Sequence, residues 1–129
     1  MILEQLNMAL EYIDRHEDEM TGLWENMVHI ESQSADIEGV DKLADHLDTY
    51  CSALGMQTKK YVFANAGPAL AAWTSPGPLP PVALMGHLDT VHKRGAFGGN
   101  TFRREGDLVR GPGVYDCKGG VAAALYVIR

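Results

Sequence analysis

The chain up to Gly55 repeats hydrophobic positions with the period of an α-helix. Apolar residues recur every three or four positions in three groups, and this spacing predicts three amphipathic helices in succession. Gly55 directly follows the third group and is typical of a residue that ends a helix. The polar segment 31–39 predicts a loop ahead of the third helix. The apolar positions of the three groups are Ile2, Leu6, Ala9, Leu10 and Ile13; Met20, Leu23, Trp24, Met27 and Ile30; and Val40, Leu43, Ala44, Leu47, Tyr50, Cys51 and Leu54.

Much of the second half of the chain has the pattern of β-strands. Segments 56–64 and 69–75 predict two strands joined by a turn that contains glycine and proline. The uninterrupted apolar run 82–85, Val-Ala-Leu-Met, predicts a strand that is covered on both faces. Segments 101–104 and 108–110 predict a hairpin around Glu-Gly-Asp.

The sequence closes with an alanine-rich apolar segment. This segment runs from Val121 to Ile128 and predicts a buried helix that begins near Lys118. Helices that flank mostly apolar strands place the chain in the α/β class. The same segment is too short to span a membrane, and the N-terminus lacks the basic region and cleavage site of a signal peptide. We therefore expect no membrane partner.

The charge pattern argues against a nucleic-acid partner. The formal net charge is −6, and lysines and arginines form no block. Binding to a phosphate backbone depends on clustered cations, so no such binding is expected. The chain has two cysteines, Cys51 and Cys117, and this sparse usage favours a reducing, cytoplasmic location.

A histidine and an aspartate directly follow the apolar run, in Gly-His-Leu-Asp-Thr at residues 86–90. Residues two apart on an extended segment point to the same side, so His87 and Asp89 converge at the carboxyl end of the predicted strand. Sheets of α/β proteins commonly bind ligands there. His87 is therefore a candidate zinc ligand and Asp89 a carboxylate that orients it. The alternative is a structural hydrogen bond from His87, and the spacing alone does not decide between the two.

The second cluster surrounds Asp116, in Gly-Pro-Gly-Val-Tyr-Asp-Cys-Lys-Gly-Gly at residues 111–120. Its glycines permit close backbone approach and unusual dihedral angles. Asp116 precedes a predicted helix, whose dipole favours a carboxylate at that end. Such a carboxylate can bridge two divalent cations, or it can cap the helix. Both interpretations stay open on the spacing.

The glycines around Asp116 do not match a nucleotide-binding loop. In a Walker loop the lysine follows the last glycine and precedes Ser or Thr, whereas Lys118 precedes the paired glycines. A dinucleotide fingerprint needs its third glycine where Asp116 stands. A nucleotide-binding domain is thus disfavoured, and Lys118 is expected to be a solvated or a packing residue.

Taken together, the two clusters resemble those of one enzyme family. Gly-His-x-Asp-Thr-Val after an apolar run, followed by Gly-Pro-Gly-x-x-Asp-x-Lys-Gly-Gly, is similar to the co-catalytic zinc hydrolases that include carboxypeptidase G, acetylornithine deacetylase and succinyl-diaminopimelate desuccinylase. Ser-Gln-Ser at 32–34 and Leu-Gly-Met at 54–56 are also similar to the N-terminal region of that family. The resemblance covers nearly the whole chain, and its specificity lies in residues 86–120.

The resemblance implies a fold, an activity and roles for three residues. The fold would be a three-layer, zinc-exopeptidase-like α/β fold with a mixed central sheet between helices. His87 would be a terminal ligand of one zinc, Asp116 the carboxylate that bridges two zincs, and Asp89 the catalytic aspartate that orients the histidine. The implied activity is hydrolysis of an amide or peptide bond in a small peptide or an N-acyl amino acid, as in a carboxypeptidase or a deacylase. The implied cofactor is a pair of zinc ions, with cobalt or manganese as alternatives.

The resemblance also implies that residues 1–129 are the N-terminal portion of a catalytic domain. The general-base glutamate, the remaining ligands and a domain that forms a homodimer would lie elsewhere in the full-length protein. Because catalytic zinc usually needs about three protein ligands, we expect this chain alone to be inactive. The competing hypothesis is a non-catalytic binding or regulatory module on the same scaffold. Cys117 is expected to be a small packed residue. None of the other histidines, which are His16, His29, His46 and His92, matches a family ligand. Among them, His92 alone is a candidate substrate contact.

Overall fold

The computed structural model describes residues 1–129, and three α-helices provide most of the regular structure. Helix α1 spans Ile2–His29, α2 spans Ile37–Ala53 and α3 spans Gly120–Ile128. Because α1 is one continuous helix, the prediction of two separate helices within it is wrong. The polar stretch 14–19 between the two apolar groups contains no glycine or proline, so the backbone hydrogen-bond ladder continues through it.

Both ends of α2 have identifiable signals. The Asp36 carboxylate accepts a hydrogen bond from the Gly39 backbone N–H at 3.0 Å and caps the first turn. Gly55 has a φ of +79° directly after the last turn, which confirms the predicted helix stop. The loop before α2 is shorter than predicted, because the Asp36 cap starts the helix at Ile37.

The four strands form two separate antiparallel pairs. Strand β1, Gln57–Tyr61, pairs with β2, Ala69–Trp73, and strand β3, Arg103–Glu105, pairs with β4, Leu108–Arg110. Both pairs were predicted, although β1 and β2 are shorter than the segments that predicted them. No helix is both long and apolar enough to cross a bilayer.

The predicted strand at residues 82–85 is not present. This run has no regular secondary structure, and Val82 and Met85 are 86% and 95% exposed. A strand needs the backbone of a neighbour to satisfy its N–H and C=O groups, and here neither two-stranded sheet extends to this segment. Between Gln33 and Thr90 there is one isolated parallel bridge. A mixed central sheet is therefore not formed, and the three-layer zinc-exopeptidase-like fold is not confirmed; the chain combines three helices with two small antiparallel sheets.

One hydrophobic cluster joins the C-terminal half of α1 to α2 and α3. Apolar side chains from the inward faces of the three helices interlock there, and Met56 closes the cluster at the start of β1. α3 contributes one buried side and leaves Val127 exposed, so the predicted C-terminal helix is confirmed but is buried on one face only. The cluster consists of Leu23, Met27, Leu43, Leu47, Cys51, Met56, Ala122, Leu125 and Tyr126.

Candidate functional site

His87 and Asp89 lie in an irregular segment that is anchored by the loop before α2. The Thr90 backbone N–H donates to the Ser32 carbonyl at 2.8 Å, and the Ser34 N–H donates to the Thr90 carbonyl at 3.0 Å. These two backbone bonds form the isolated parallel bridge. They fix the direction of the segment that carries His87 although the predicted strand is absent.

Asp116 lies in a wide turn, residues 114–119, that precedes α3. Its backbone is extended, with φ −113° and ψ 100°, and the peptide bond that follows it is cis. The indole N–H of Trp24 donates to the Val114 carbonyl at 3.0 Å and ties the turn to α1. Gly113 begins the turn with a φ of +72°, and a Cβ there would lie 2.6 Å from the Thr90 methyl group. Only glycine fits this contact, so the turn packs directly against the His87 segment.

The structure brings His87, Asp89 and Asp116 together. The His87 Nε2 atom is 3.0 Å from Oδ1 of Asp116, 29 residues further along the chain. On the other side of the ring, Nδ1 is 2.9 Å from the backbone oxygen of Asp89 and 3.2 Å from its Oδ1 atom. The imidazole is thus held between two carboxylates.

This arrangement determines the charges of the site. Both ring nitrogens of His87 face acceptors, so the doubly protonated imidazolium satisfies all the contacts. Accordingly, the hydrogen bond with Asp116 raises the pKa of His87 above its usual value. The pKa of Asp89 is lowered, chiefly because the Ser34 hydroxyl donates a hydrogen bond to its carboxylate.

Two serines before α2 support the His87 segment, and sequence reasoning gave them no role. Ser34 donates through its hydroxyl to Oδ2 of Asp89 and is 3.3 Å from the Thr90 carbonyl. Ser32, which is buried, donates to the Leu88 carbonyl at 2.7 Å. The only signal for them was the similarity of Ser-Gln-Ser to a family segment, since nothing in the local pattern places this loop beside residue 89.

The structure argues against one alternative for the second cluster, the helix cap, and the bridging of two cations by Asp116 stays a prediction. Neither the wide turn nor α3 has a side-chain cap, so the Asp116 carboxylate contacts His87 instead of capping the helix. Lys118 is 1% exposed and its ammonium donates to the Ile30 carbonyl at 2.8 Å. Lys118 is therefore a packing residue, and the solvated interpretation is wrong. Cys117 is half-buried, and both cysteines are free thiols.

The other histidines lie outside this cluster of three residues. His29 shares a hydrogen bond of 2.6 Å with the Thr101 hydroxyl, and His16 is 2.7 Å from the Tyr12 carbonyl. The ring of His92 packs edge-on against Phe97, with ring centroids 5.0 Å apart. A substrate contact for His92 stays a prediction.

The donor set fits part of a metal site. The His87 imidazole and a carboxylate oxygen of Asp116 lie close together, and both are ligand types that zinc prefers. A third ligand is missing, because no group of three or more His, Cys, Asp or Glu side chains is arranged to hold a metal. The residues of this chain therefore fit two ligand positions and do not complete a catalytic zinc site.

A groove of about 610 Å³ opens beside the site. It runs between α2, β2 and α3, and its lining is mostly apolar, with Leu47, Leu70 and Val121 among its walls. His87 and Asp89 are among its lining residues, so the site borders a mostly apolar groove.

Comparison with known proteins gives a partial match. No protein-family model matches the chain. The chain is 31% identical to carboxypeptidase G2 of Pseudomonas sp. (strain RS-16) over 107 residues. This matched stretch covers 81% of this chain and 26% of that protein. The chain thus spans about a quarter of the relative. The similarity indicates a peptidase-like origin for this stretch of sequence.

Proposed function

We propose that this chain is the N-terminal part of the catalytic domain of a metal-dependent hydrolase of amide or peptide bonds. The observation that carries the proposal is the His87 ring held between Asp116 and Asp89, with Nε2 3.0 Å from the Asp116 carboxylate. The partial similarity to a carboxypeptidase supports the reaction class. Zinc, or cobalt or manganese in its place, would supply a bound water of lowered pKa.

In this proposal the three side chains have distinct roles. His87 and Asp116 would hold the metal, since the His87 Nε2 atom and the Asp116 carboxylate face each other in the structure. Asp89 contacts the opposite ring nitrogen, so it fixes the tautomer and the orientation of His87. Loss of a ligand should remove metal, whereas loss of the orienting carboxylate should mainly slow turnover.

The number of ligands limits what the chain does alone. Two protein ligands are fewer than the three that catalytic zinc usually has, and no third is arranged here. We therefore expect the purified 129-residue chain to bind zinc weakly and to hydrolyse no amide. The remaining ligands and the general base belong, in this proposal, to the rest of a longer protein, which is also expected to form a homodimer through another domain.

The proposed substrates are small peptides or N-acyl amino acids, and the segment after Asp89 favours one class of them. Residues 90–97, Thr-Val-His-Lys-Arg-Gly-Ala-Phe, resemble the carboxypeptidase G branch more than the biosynthetic deacylases, and this resemblance guides the choice of substrate. C-terminal glutamyl amides are therefore the first substrates to assay. N-acetylornithine and simple dipeptides distinguish the other branches.

The test is an assay of the full-length product of the gene that encodes this segment, with its metal content measured in parallel. His87→Ala and Asp116→Ala should each abolish turnover together with bound metal. Asp89→Ala should lower kcat and retain most of the metal. The matched control is His29→Ala, which removes an exposed histidine that contacts Thr101 and has no role in the cluster.

Two results would contradict the proposal. Full activity in Asp116→Ala would show that the cluster is not the reaction centre. A full-length protein that binds substrate-like amides without turnover, with or without added metal, would favour the non-catalytic binding module.

A further inference from the structure

Helix α1 carries one apolar stripe that is covered in its second half and uncovered in its first. In the second half Leu23 and Met27 are buried in the core cluster. In the first half residues 1–11 are all exposed, with Ile2 80% and Leu6 53% exposed. Apart from His16, the stripe is apolar throughout, with alternate spacings of four and three residues: Ile2, Leu6, Ala9, Ile13, His16, Met20, Leu23 and Met27.

The uncovered part of this stripe forms a continuous surface without charge. We call it the tip surface; it consists of Ile2, Leu3, Leu6, Ala9, Leu10 and Ile13. At 100° per residue, Glu4, Glu11 and Arg15 project from the opposite side of the helix. A contiguous exposed apolar surface of this kind is typical of an interaction site.

The polar side of the same helix argues against a lipid surface as the partner. A helix that lies on a membrane usually carries lysine and arginine on its polar face. Here that face has Glu4 and Glu11 and a single basic side chain, Arg15, within a chain of net charge −6. Anionic lipid would repel it.

We propose that the tip surface binds the same surface of a second copy of this chain, with the two helices antiparallel. The spacing from Ile2 through Leu6 and Ala9 to Ile13 is four, three, four, which is the same in both directions. Antiparallel pairing therefore places Ile2 against Ile13 of the other copy and Leu6 against Ala9, so every layer is apolar. A two-fold axis between residues 7 and 8 relates the copies, as an isologous contact requires.

Charge selects the antiparallel arrangement. The positive end of the helix dipole lies at the tip, where the Met1 ammonium pairs with Glu4 of the same helix at 3.5 Å. In the antiparallel pair this end lies near Asp14, Glu17 and Asp18 of the other copy, which carry negative charge. A parallel pair would bring the two acidic segments side by side instead.

The size of the contact sets its strength. Residues 2–13 extend over about 17 Å of helix, so the contact is at the lower end of specific interfaces, which bury on the order of 1,000 Å² in total. The helix is already formed and is anchored by the core at its other end, so pairing does not need to order it. A weak, reversible dimer follows. It is distinct from any homodimer formed through another domain, since all its residues lie in α1.

Sedimentation equilibrium of the 129-residue chain over a concentration series tests the proposal. The wild type should show a reversible monomer–dimer equilibrium. Leu6→Glu places a charge in the apolar layers twice per dimer and should weaken association at least tenfold. The matched control Met8→Glu adds the same charge on the opposite side, where Met8 is 69% exposed, and should leave association unchanged. Circular dichroism should show equal helix content in all three proteins.

Disulfide formation between introduced cysteines then tests the geometry. Cys117 is half-buried and is changed to serine in these chains, whereas Cys51 is buried and is kept. A mixture of Ile2→Cys and Ile13→Cys chains should form mixed disulfides under mild oxidation. Ile2→Cys alone should not, because the two copies of residue 2 lie at opposite ends of an antiparallel pair. A monomer at every concentration, equal association of Leu6→Glu and Met8→Glu, or a dominant Ile2→Cys homodisulfide would each overturn the proposal.

Discussion

At the scale of single residues, the chemistry of the site depends on contacts between segments far apart in sequence. His87 and Asp116 are separated by 29 positions and lie 3.0 Å apart at Nε2 and Oδ1. Both residues were candidates because of their place in the sequence. His87 follows the apolar run 82–85, and Asp116 precedes the apolar segment 121–128. Ser34 had no such signal, because its contact with Asp89 depends on how a loop folds back over the site.

Replacement of Ser34 by alanine should raise the pKa of Asp89. The Ser34 hydroxyl donates to the Asp89 carboxylate, and this bond is the main reason that the pKa of Asp89 lies below its usual value. Without the donor, the ionised form loses stabilisation and the carboxylate is protonated at higher pH. Titration of the Asp89 carboxyl carbon by NMR measures the change.

Ser32→Ala is the control for this titration. The Ser32 hydroxyl donates to the Leu88 carbonyl and not to a carboxylate, although it lies in the same loop. Its removal should leave the titration of Asp89 where it is in the wild type. An equal shift in both variants would mean that the loop as a whole, and not the Ser34 hydroxyl, sets the pKa of Asp89.

At the scale of elements, the sequence predicted helices and hairpins better than the isolated strand. The hydrogen bonds of α2 and of the β3–β4 hairpin are local, so period, cap and turn residues largely determine them. A strand at residues 82–85 would need a distant partner that the local pattern does not specify. The continuity of α1 was missed because the polar stretch 14–19 was interpreted as a break between two helices. That stretch contains no glycine or proline, so it does not end the helix.

Two substitutions of Asp36 should lower the stability of the chain by different amounts. Asp36 caps the helix through Gly39 and also accepts a hydrogen bond from Nε of Arg94 at 2.9 Å. Asp36→Asn keeps a cap acceptor and loses the ion pair, whereas Asp36→Ala loses both. Thermal unfolding at neutral pH should therefore give Tm values in the order wild type, Asp36→Asn, Asp36→Ala.

The acid limb of unfolding reports on the ionised form of Asp36, to which Arg94 and the Gly39 N–H both donate. Arg94 holds the pKa of Asp36 below its ordinary value, so this stabilisation is present above pH 3.8 and is lost as the pH falls through the folded-state pKa. Asp36→Asn should lack that loss. The double change Asp36→Asn with Arg94→Ala should be no less stable than Arg94→Ala by itself; a further drop of similar size would show that the two side chains act independently.

At the scale of the whole molecule, the site is built where separate parts of the structure meet. The loop before α2 supports the His87 segment, and α1 supports the turn that carries Asp116 through Trp24. Lys118 adds a further link, since its buried ammonium donates to the Ile30 carbonyl just after α1. This buried cation has a cost, because charged groups lose hydration in the interior.

The free energy of unfolding should therefore depend on pH through Lys118. Burial lowers the pKa of Lys118 from 10.5 to about 8, so the unfolded chain binds this proton more tightly than the folded one. Stability rises as the pH increases from about 8 to 10.5, and the shift corresponds to roughly 3 kcal/mol. Urea unfolding of the wild type and of Lys118→Met at several pH values in this window measures the effect. The quantity to follow is the difference between their free energies of unfolding as a function of pH. That difference should be constant below about pH 8 and should move in favour of the wild type above it.

The comparison with Lys118→Met isolates this one proton, because other groups that titrate in the same window are common to both proteins. Lys59→Met, which removes an exposed lysine on β1, is the matched control for the loss of a lysine side chain. Parallel curves for the wild type and Lys118→Met would mean that the ammonium stays fully charged in the folded state throughout the window. In that case the bond to the Ile30 carbonyl would outweigh the loss of hydration, and Lys118 would stabilise the junction between α1 and the Asp116 turn as a permanent cation.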